Sequence, residues 1–175
     1  MPTKIDVVHV LDTKHVVGAV ARRGAGASFP SPADKLAALV GTQLVIAPDP
    51  GSIEFVLRTD WLDAAEVDFE SSVGDVLLRP REWFLDDANA LTRASRSLLA
   101  FVWNTDRFQL TFDPASIPSD GAKILILVTA GTSTTLVEHA YALGQNLYAT
   151  GPITAPAAAI ALVAEGFAAA TATTP

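Results

Sequence analysis

Valine and other apolar residues run almost unbroken through the start of the chain, IDVVHVL and HVVGAVA, on either side of Asp12-Thr13-Lys14. β-Branched arms around polar turn residues predict a hairpin. The arms barely alternate, so both faces of such strands need cover from a helix, a second sheet or another subunit. RRGAGASFPSP then reads as a loop from its Gly, Ser and Pro content. SPADKLAALVG carries helix punctuation, with Ser31 to cap, Pro32 at the first helical position and Gly41 to terminate.

A second hairpin follows, TQLVIA and IEFVLR around PDPGS, whose prolines exclude a helix through the middle. The pattern then weakens between residues 59 and 97. Trp61, Val67, Phe69, Val76 and Leu78 suggest short strands, and the polar stretch from Asp86 to Ser97 suggests a helix. A third hairpin is sharper: LLAFVW, a turn at Asn104-Thr105-Asp106, then RFQLTF. In its second arm Phe108, Leu110 and Phe112 alternate with Gln109 and Thr111, as on a half-exposed strand. The hairpins start at uneven intervals and share no residue signature, so no internal repeat is implied.

Two continuations fit KILILVTAGTSTTLVEHAYALG, residues 123–144. Residues 123–129 are a strand in both. In the first, Thr135 and Glu138 form a capping box, and Leu136, Ala140 and Leu143 make one stripe of a helix that ends at Gly144. Strand, Gly/Ser/Thr loop and helix would offer terminal amides to an anion, with Thr129, Gly131, Thr132, Ser133, Thr134 and Thr135 as the ligand-binding candidates. The loop lacks lysine and matches neither GxxxxGK[ST] nor GxGxxG. In the second continuation the strand turns back as a hairpin at Ala130-Gly131-Thr132-Ser133.

The last segment, TAPAAAIALVAEGFAAATATTP, is Ala-rich, has Pro156 near a helix start and carries only Glu165 as a charge. It reads as a helical tail over 154–175 with a loose end, appended to a mainly-β domain over 1–153. A helix apolar nearly all round must be buried, against its own sheet or a neighbour. The expected fold is mainly β, with α+β as the alternative: an antiparallel sandwich or small barrel built from hairpins, flanked by two or three short helices.

Composition narrows the chemistry. The 175 residues are 50% hydrophobic and only 18% charged, with mean hydropathy +0.33, which favours surfaces hidden against partners. Net charge is −7 and no basic run exceeds Arg22-Arg23, which disfavours nucleic acid. The absence of cysteine removes disulfides, thiolate metal sites and Cys nucleophiles. No signal-peptide pattern opens the chain and no apolar run approaches the ~20 residues of a membrane span, so a cytoplasmic location is expected, with release in a particle as an alternative.

Polar candidates each have a plainer explanation. His9 and His15 flank the first turn. A two-residue loop puts them on opposite faces, and a three-residue loop leaves them ~13 Å apart along the ladder at ~3.3 Å per residue. Metal–imidazole bonds are only ~2 Å, so no metal site is expected there. Asp60, Asp63, Glu66, Asp68 and Glu70 alternate with Val67 and Phe69 as the wet face of a strand does, and lack an EF-hand pattern. Asp86 and Asp87 diverge on either a strand or a helix. Ser133 and His139 could join a triad only through an unspecified Asp, and no GxSxG elbow exists. No cofactor is implied.

The leading expectation is therefore a non-enzymatic assembly subunit, associating with itself or other protein chains, as in a shell or phage-tail-like particle. Trp83, Phe84, Ile160, Leu162, Val163 and Phe167 are its candidate interface residues. The alternatives are a binder of, or enzyme acting on, a phosphate-bearing ligand through residues 129–135, and a protein-binding adaptor.

Overall fold

A computed structural model describes residues 3–21, 29, 31–47, 52–69 and 73–175. The chain is mainly β. In order it forms β1 (Thr3–Val10), β2 (Val16–Ala21), α1 (Pro32–Val40), β3 (Gln43–Ile46), β4 (Phe55–Arg58), β5 (Leu62–Phe69) and α2 (Val73–Leu78). There follow β6 (Trp83–Leu85), β7 (Leu91–Arg93), β8 (Ala100–Asn104), β9 (Arg107–Thr111) and β10 (Lys123–Ala130). The last four are β11 (Ser133–Ala140), β12 (Leu147–Ala149), β13 (Ala157–Val163) and β14 (Ala170–Thr173). The chain divides into two compact units, Met1–Leu44 with Leu57–Ala94, and Val45–Val56 with Ser95–Pro175.

The first unit is built on an antiparallel sheet ordered β2-β1-β5. One face carries Ile5, Val7, Val16 and Val67, which pack with Val76 of α2 and with Trp83 and Leu85 of β6. On the other face lie Lys4, Asp6 and Glu66, Asp6 and Glu66 being direct cross-strand partners. Lys35 of α1 reaches Asp6 at 2.9 Å and Glu66 at 3.9 Å, with side-chain exposures of only 12% for Lys35 and 4% for Asp6. Ser31 caps α1 by accepting from the Asp34 amide, and Gly41 ends it at φ +71°, as the punctuation implied.

The first hairpin closes through four residues rather than two or three. The Val10 amide donates to the His15 carbonyl and the Lys14 amide to the Val10 carbonyl. His9 stands opposite Val16, so His15, one residue earlier, projects to the opposite face. The two histidines therefore do not converge.

The second unit holds two antiparallel sheets, ordered β11-β10-β13-β14 and β12-β9-β8. They face each other across a layer in which Ile124, Ile126, Val128, Ala159, Ala161 and Val163 meet Phe101, Phe108, Leu110 and Phe112. Phe112 sits edge-on to Tyr141, Tyr148 and Phe167 with ring centroids 5.5, 5.9 and 5.5 Å away. This is an open sandwich, as the third hairpin and the 123–129 strand suggested.

Three expectations fail, each for a local reason. The stretch from Asp86 to Ser97 is not a helix: Asp86 accepts from the Ala88 and Ala90 amides, making a turn that leads into β7. Val76 and Leu78 lie in α2 rather than in a strand. The Ala-rich segment from 154 to 175 is not a helical tail, because β13 is inserted between β10 and β14, and β14 pairs with it almost to the end of the chain. Alanine's helix preference is only a fraction of a kcal/mol per residue. Burial of every β13 residue on a two-sided strand outweighs it.

Candidate interaction edge

Residues 123–144 form the hairpin, not the strand–loop–helix. β10 and β11 pair in register from Lys123↔Ala140 to Ala130↔Ser133 without a bulge. Gly131 takes φ +62° and Thr132 stays at negative φ, the pattern of a type II′ turn with glycine first. Thr134, Thr135 and Val137 are β-branched and favour the extended chain over the capping-box helix.

The anion-site rationale depended on helix-terminal amides, and a strand stands there instead. Thr129 is buried, and its hydroxyl shares a 2.7 Å hydrogen bond with that of Thr134. The Thr134 hydroxyl also accepts from the Val56 amide at 2.9 Å, and Thr135 donates to the Val128 carbonyl at 3.4 Å. Gly131, Thr132 and Ser133 are exposed at the turn. The six residues are thus adjacent, but three of their five hydroxyls are already engaged within the protein.

The predicted interface residues are also placed differently. Trp83 is 9% exposed and belongs to the core of the first unit, with Phe84 partly covered beside it. Ile160, Leu162, Val163 and Phe167 are buried in the second unit. They hold the molecule together and do not form its surface.

What the second unit presents instead is strand edge. β11, β14, β8 and β12 each end a sheet. β14 has 4 residues, β12 has 3 and β8 has 5, whereas β11 runs for 8. Along it Ser133, Thr135, Glu138 and Ala140 are exposed. A two-residue turn makes Ala130↔Ser133 a hydrogen-bonded pair, and the Tyr141 amide donating to Ala122 continues the same alternation. The backbone N–H and C=O groups of Thr134, Leu136, Glu138 and Ala140 therefore point away from β10. Sheet edges are ordinarily blunted by prolines, bulges or concentrated charge. β11 has no proline or bulge, and its one carboxylate, Glu138, is paired with Lys123 on β10.

β5 is the instructive contrast. It too has 8 residues and ends its sheet, yet it carries Asp63, Glu66 and Asp68. Pairing it with a like strand would bring carboxylates together.

Two further features lie in the second unit. Val102 and Leu147, 49% and 50% exposed, sit on the outer face of β12-β9-β8, where the neighbouring positions Ala100, Gln109, Thr111 and Ala149 are uncharged. A shallow groove of about 510 Å³ lies between Phe101–Trp103 and Ala172–Pro175. Inside the sandwich, the Tyr148 hydroxyl accepts from the Ala142 amide at 2.7 Å, whereas the Tyr141 hydroxyl and His139 Nε2 have no hydrogen-bond partner among the described residues.

In the first unit His9 is buried, and its Nδ1 donates to the Val10 carbonyl at 3.3 Å. Burial pushes its pKa below the ordinary imidazole value; the Val10 carbonyl opposes this, Lys14 adds to it and Asp63 opposes it. No group of three His, Asp or Glu side chains is placed to hold a metal ion among the described residues, and no helix there is long and apolar enough to cross a membrane.

No protein family, no curated protein and no solved structure matches this chain.

Proposed function

We propose that this chain is a non-enzymatic assembly subunit whose second unit associates with other protein chains through the β11 edge. The observation that carries the reading is an eight-residue edge with outward backbone groups and none of the usual blunting devices. Main-chain hydrogen bonding to such an edge supplies affinity, and the alternating side chains supply specificity. The uncharged patch around Val102 and Leu147 on the outer face of β12-β9-β8 favours a second reading, in which a different protein docks there.

The test is mass in solution by light scattering after size exclusion, over a concentration series, for the native chain and for Leu136→Glu. That substitution places on β11 the kind of charge that β5 carries. The reading expects oligomers whose midpoint moves to at least tenfold higher concentration in the variant. A native chain that stays at 18.3 kDa throughout contradicts self-association. A shared midpoint for the two proteins removes β11 as the surface.

A further inference from the structure

The partner that fits β11 best is β11 of a second copy. This rests on the assembly reading above and specifies its contact. Two identical antiparallel strands related by a two-fold axis must pair outward-bonding residues with outward-bonding residues. Outward groups belong to Thr134, Leu136, Glu138 and Ala140, so the axis passes through a residue position and not between two. Few registers remain.

With the axis at Leu136, the cross-strand partners are Leu136 with Leu136, Thr135 with Val137, Thr134 with Glu138 and Ser133 with His139, each taken from opposite copies. An apolar pair sits at the centre, a pair of β-branched residues flanks it, and the single carboxylate meets a hydroxyl. With the axis at Val137, Leu136 faces Glu138 and an apolar side chain is set against a charge. At Glu138 two carboxylates meet. At Thr135 the residues Glu138, His139 and Ala140 lose their partners, and at Thr134 everything beyond Thr135 does. Charge thus selects Leu136 over Val137 and Glu138, and length selects it over Thr134 and Thr135.

We infer that two copies join by antiparallel β11–β11 pairing centred on Leu136, merging their four-stranded sheets into one continuous sheet. A two-fold contact of this kind is closed: it makes dimers. A shell or tube would need an additional contact of a different symmetry.

The native chain has no cysteine, so single cysteines report the register cleanly. At a hydrogen-bonded pair the Cα atoms lie ~5.5 Å apart, within the span of a disulfide. The full-length Leu136→Cys variant, mildly oxidised, is expected to give a covalent dimer on non-reducing gels, with Val137→Cys giving several-fold less. Preferential linkage through Val137→Cys overturns the Leu136 register. If neither variant cross-links while light scattering still finds oligomers, the β11 contact is refuted and assembly through another surface survives. If neither cross-links and the native chain is monomeric, both the contact and self-assembly fall. Native-like circular dichroism of the reduced variants shows that the result concerns pairing and not folding.

Discussion

β5 and β11 are edge strands of equal length in the same chain, and they treat their edges oppositely. β5 carries three carboxylates, and Glu66 among them pairs with Lys4 at 2.6 Å. β11 carries one, tied back to its own sheet by Lys123. In the first unit charge is therefore structural, and it also repels a like strand. In the second unit cohesion comes from aromatic and aliphatic packing, and the edge carries a single carboxylate that Lys123 neutralises. A chain only 18% charged has spent that charge unevenly, which is the physical basis for reading β11 as the associating edge.

The sharpest way to break this comparison is to disturb the buried charge of the first unit. Lys35→Met removes the ammonium that faces the nearly enclosed Asp6, and is expected to cost about 3–5 kcal/mol of stability. Urea denaturation measures it. A loss well under 1 kcal/mol would mean that the pair is solvated and that charge is not structural there.

In the second unit the corresponding test concerns the turn before β11. Gly131→Val meets no atom within 4 Å of the added Cβ, yet forces a β-branched residue to φ +62°. Strain of about 1–3 kcal/mol is expected. Calorimetric titration with inorganic phosphate should give no heat for either the native chain or the variant. Phosphate binding that vanishes in the variant would revive the ligand-site reading of residues 129–135.

The aromatic cluster sharpens the contrast on a smaller scale. Tyr148→Phe removes the acceptor of the Ala142 amide and is expected to cost about 1 kcal/mol, more than Tyr141→Phe, whose hydroxyl has no partner among the described residues. Paired thermal melts compare the two. Equal losses would show that the Tyr148 hydrogen bond contributes nothing distinctive.

The smallest expected effect is the pH response of the first unit. His9 has a folded pKa below its unfolded value, so the unfolded chain binds more protons in the window between them. Its contribution is fully present above the ordinary value near 6.5, and is lost as pH falls from there toward the lower folded value. Melting temperature should drop through that window, and His9→Gln should flatten the slope. An unchanged slope in the variant would assign the response to other groups.

Elements whose own residues decide their shape were legible from the sequence. α1 has its cap, proline and terminal glycine, and the third hairpin has strict alternation along β9. The mainly-β class followed from such pieces. Elements decided by neighbours were not. β13 is composed of residues that a helix would accept, and only its place between β10 and β14 makes it a strand. Thr135-Leu-Val-Glu138 satisfies a capping-box pattern, but the turn at Gly131 offers a full ladder to β10 and that outcompetes it. The candidate interface residues failed for a related reason. Apolar character marks both a core and a contact, and sequence alone does not say which. The β11 edge was hidden because an edge is defined by what lies beside a strand, and no residue within it announces that.

The most direct test of the β11 account is amide hydrogen exchange of the full chain against concentration. Protection of the outward amides of Thr134, Leu136 and Glu138 should rise with concentration, while the edge amides of β5 exchange at an unchanged rate. Outward β11 amides that exchange equally fast at all concentrations, in a sample shown to be oligomeric, would contradict the account.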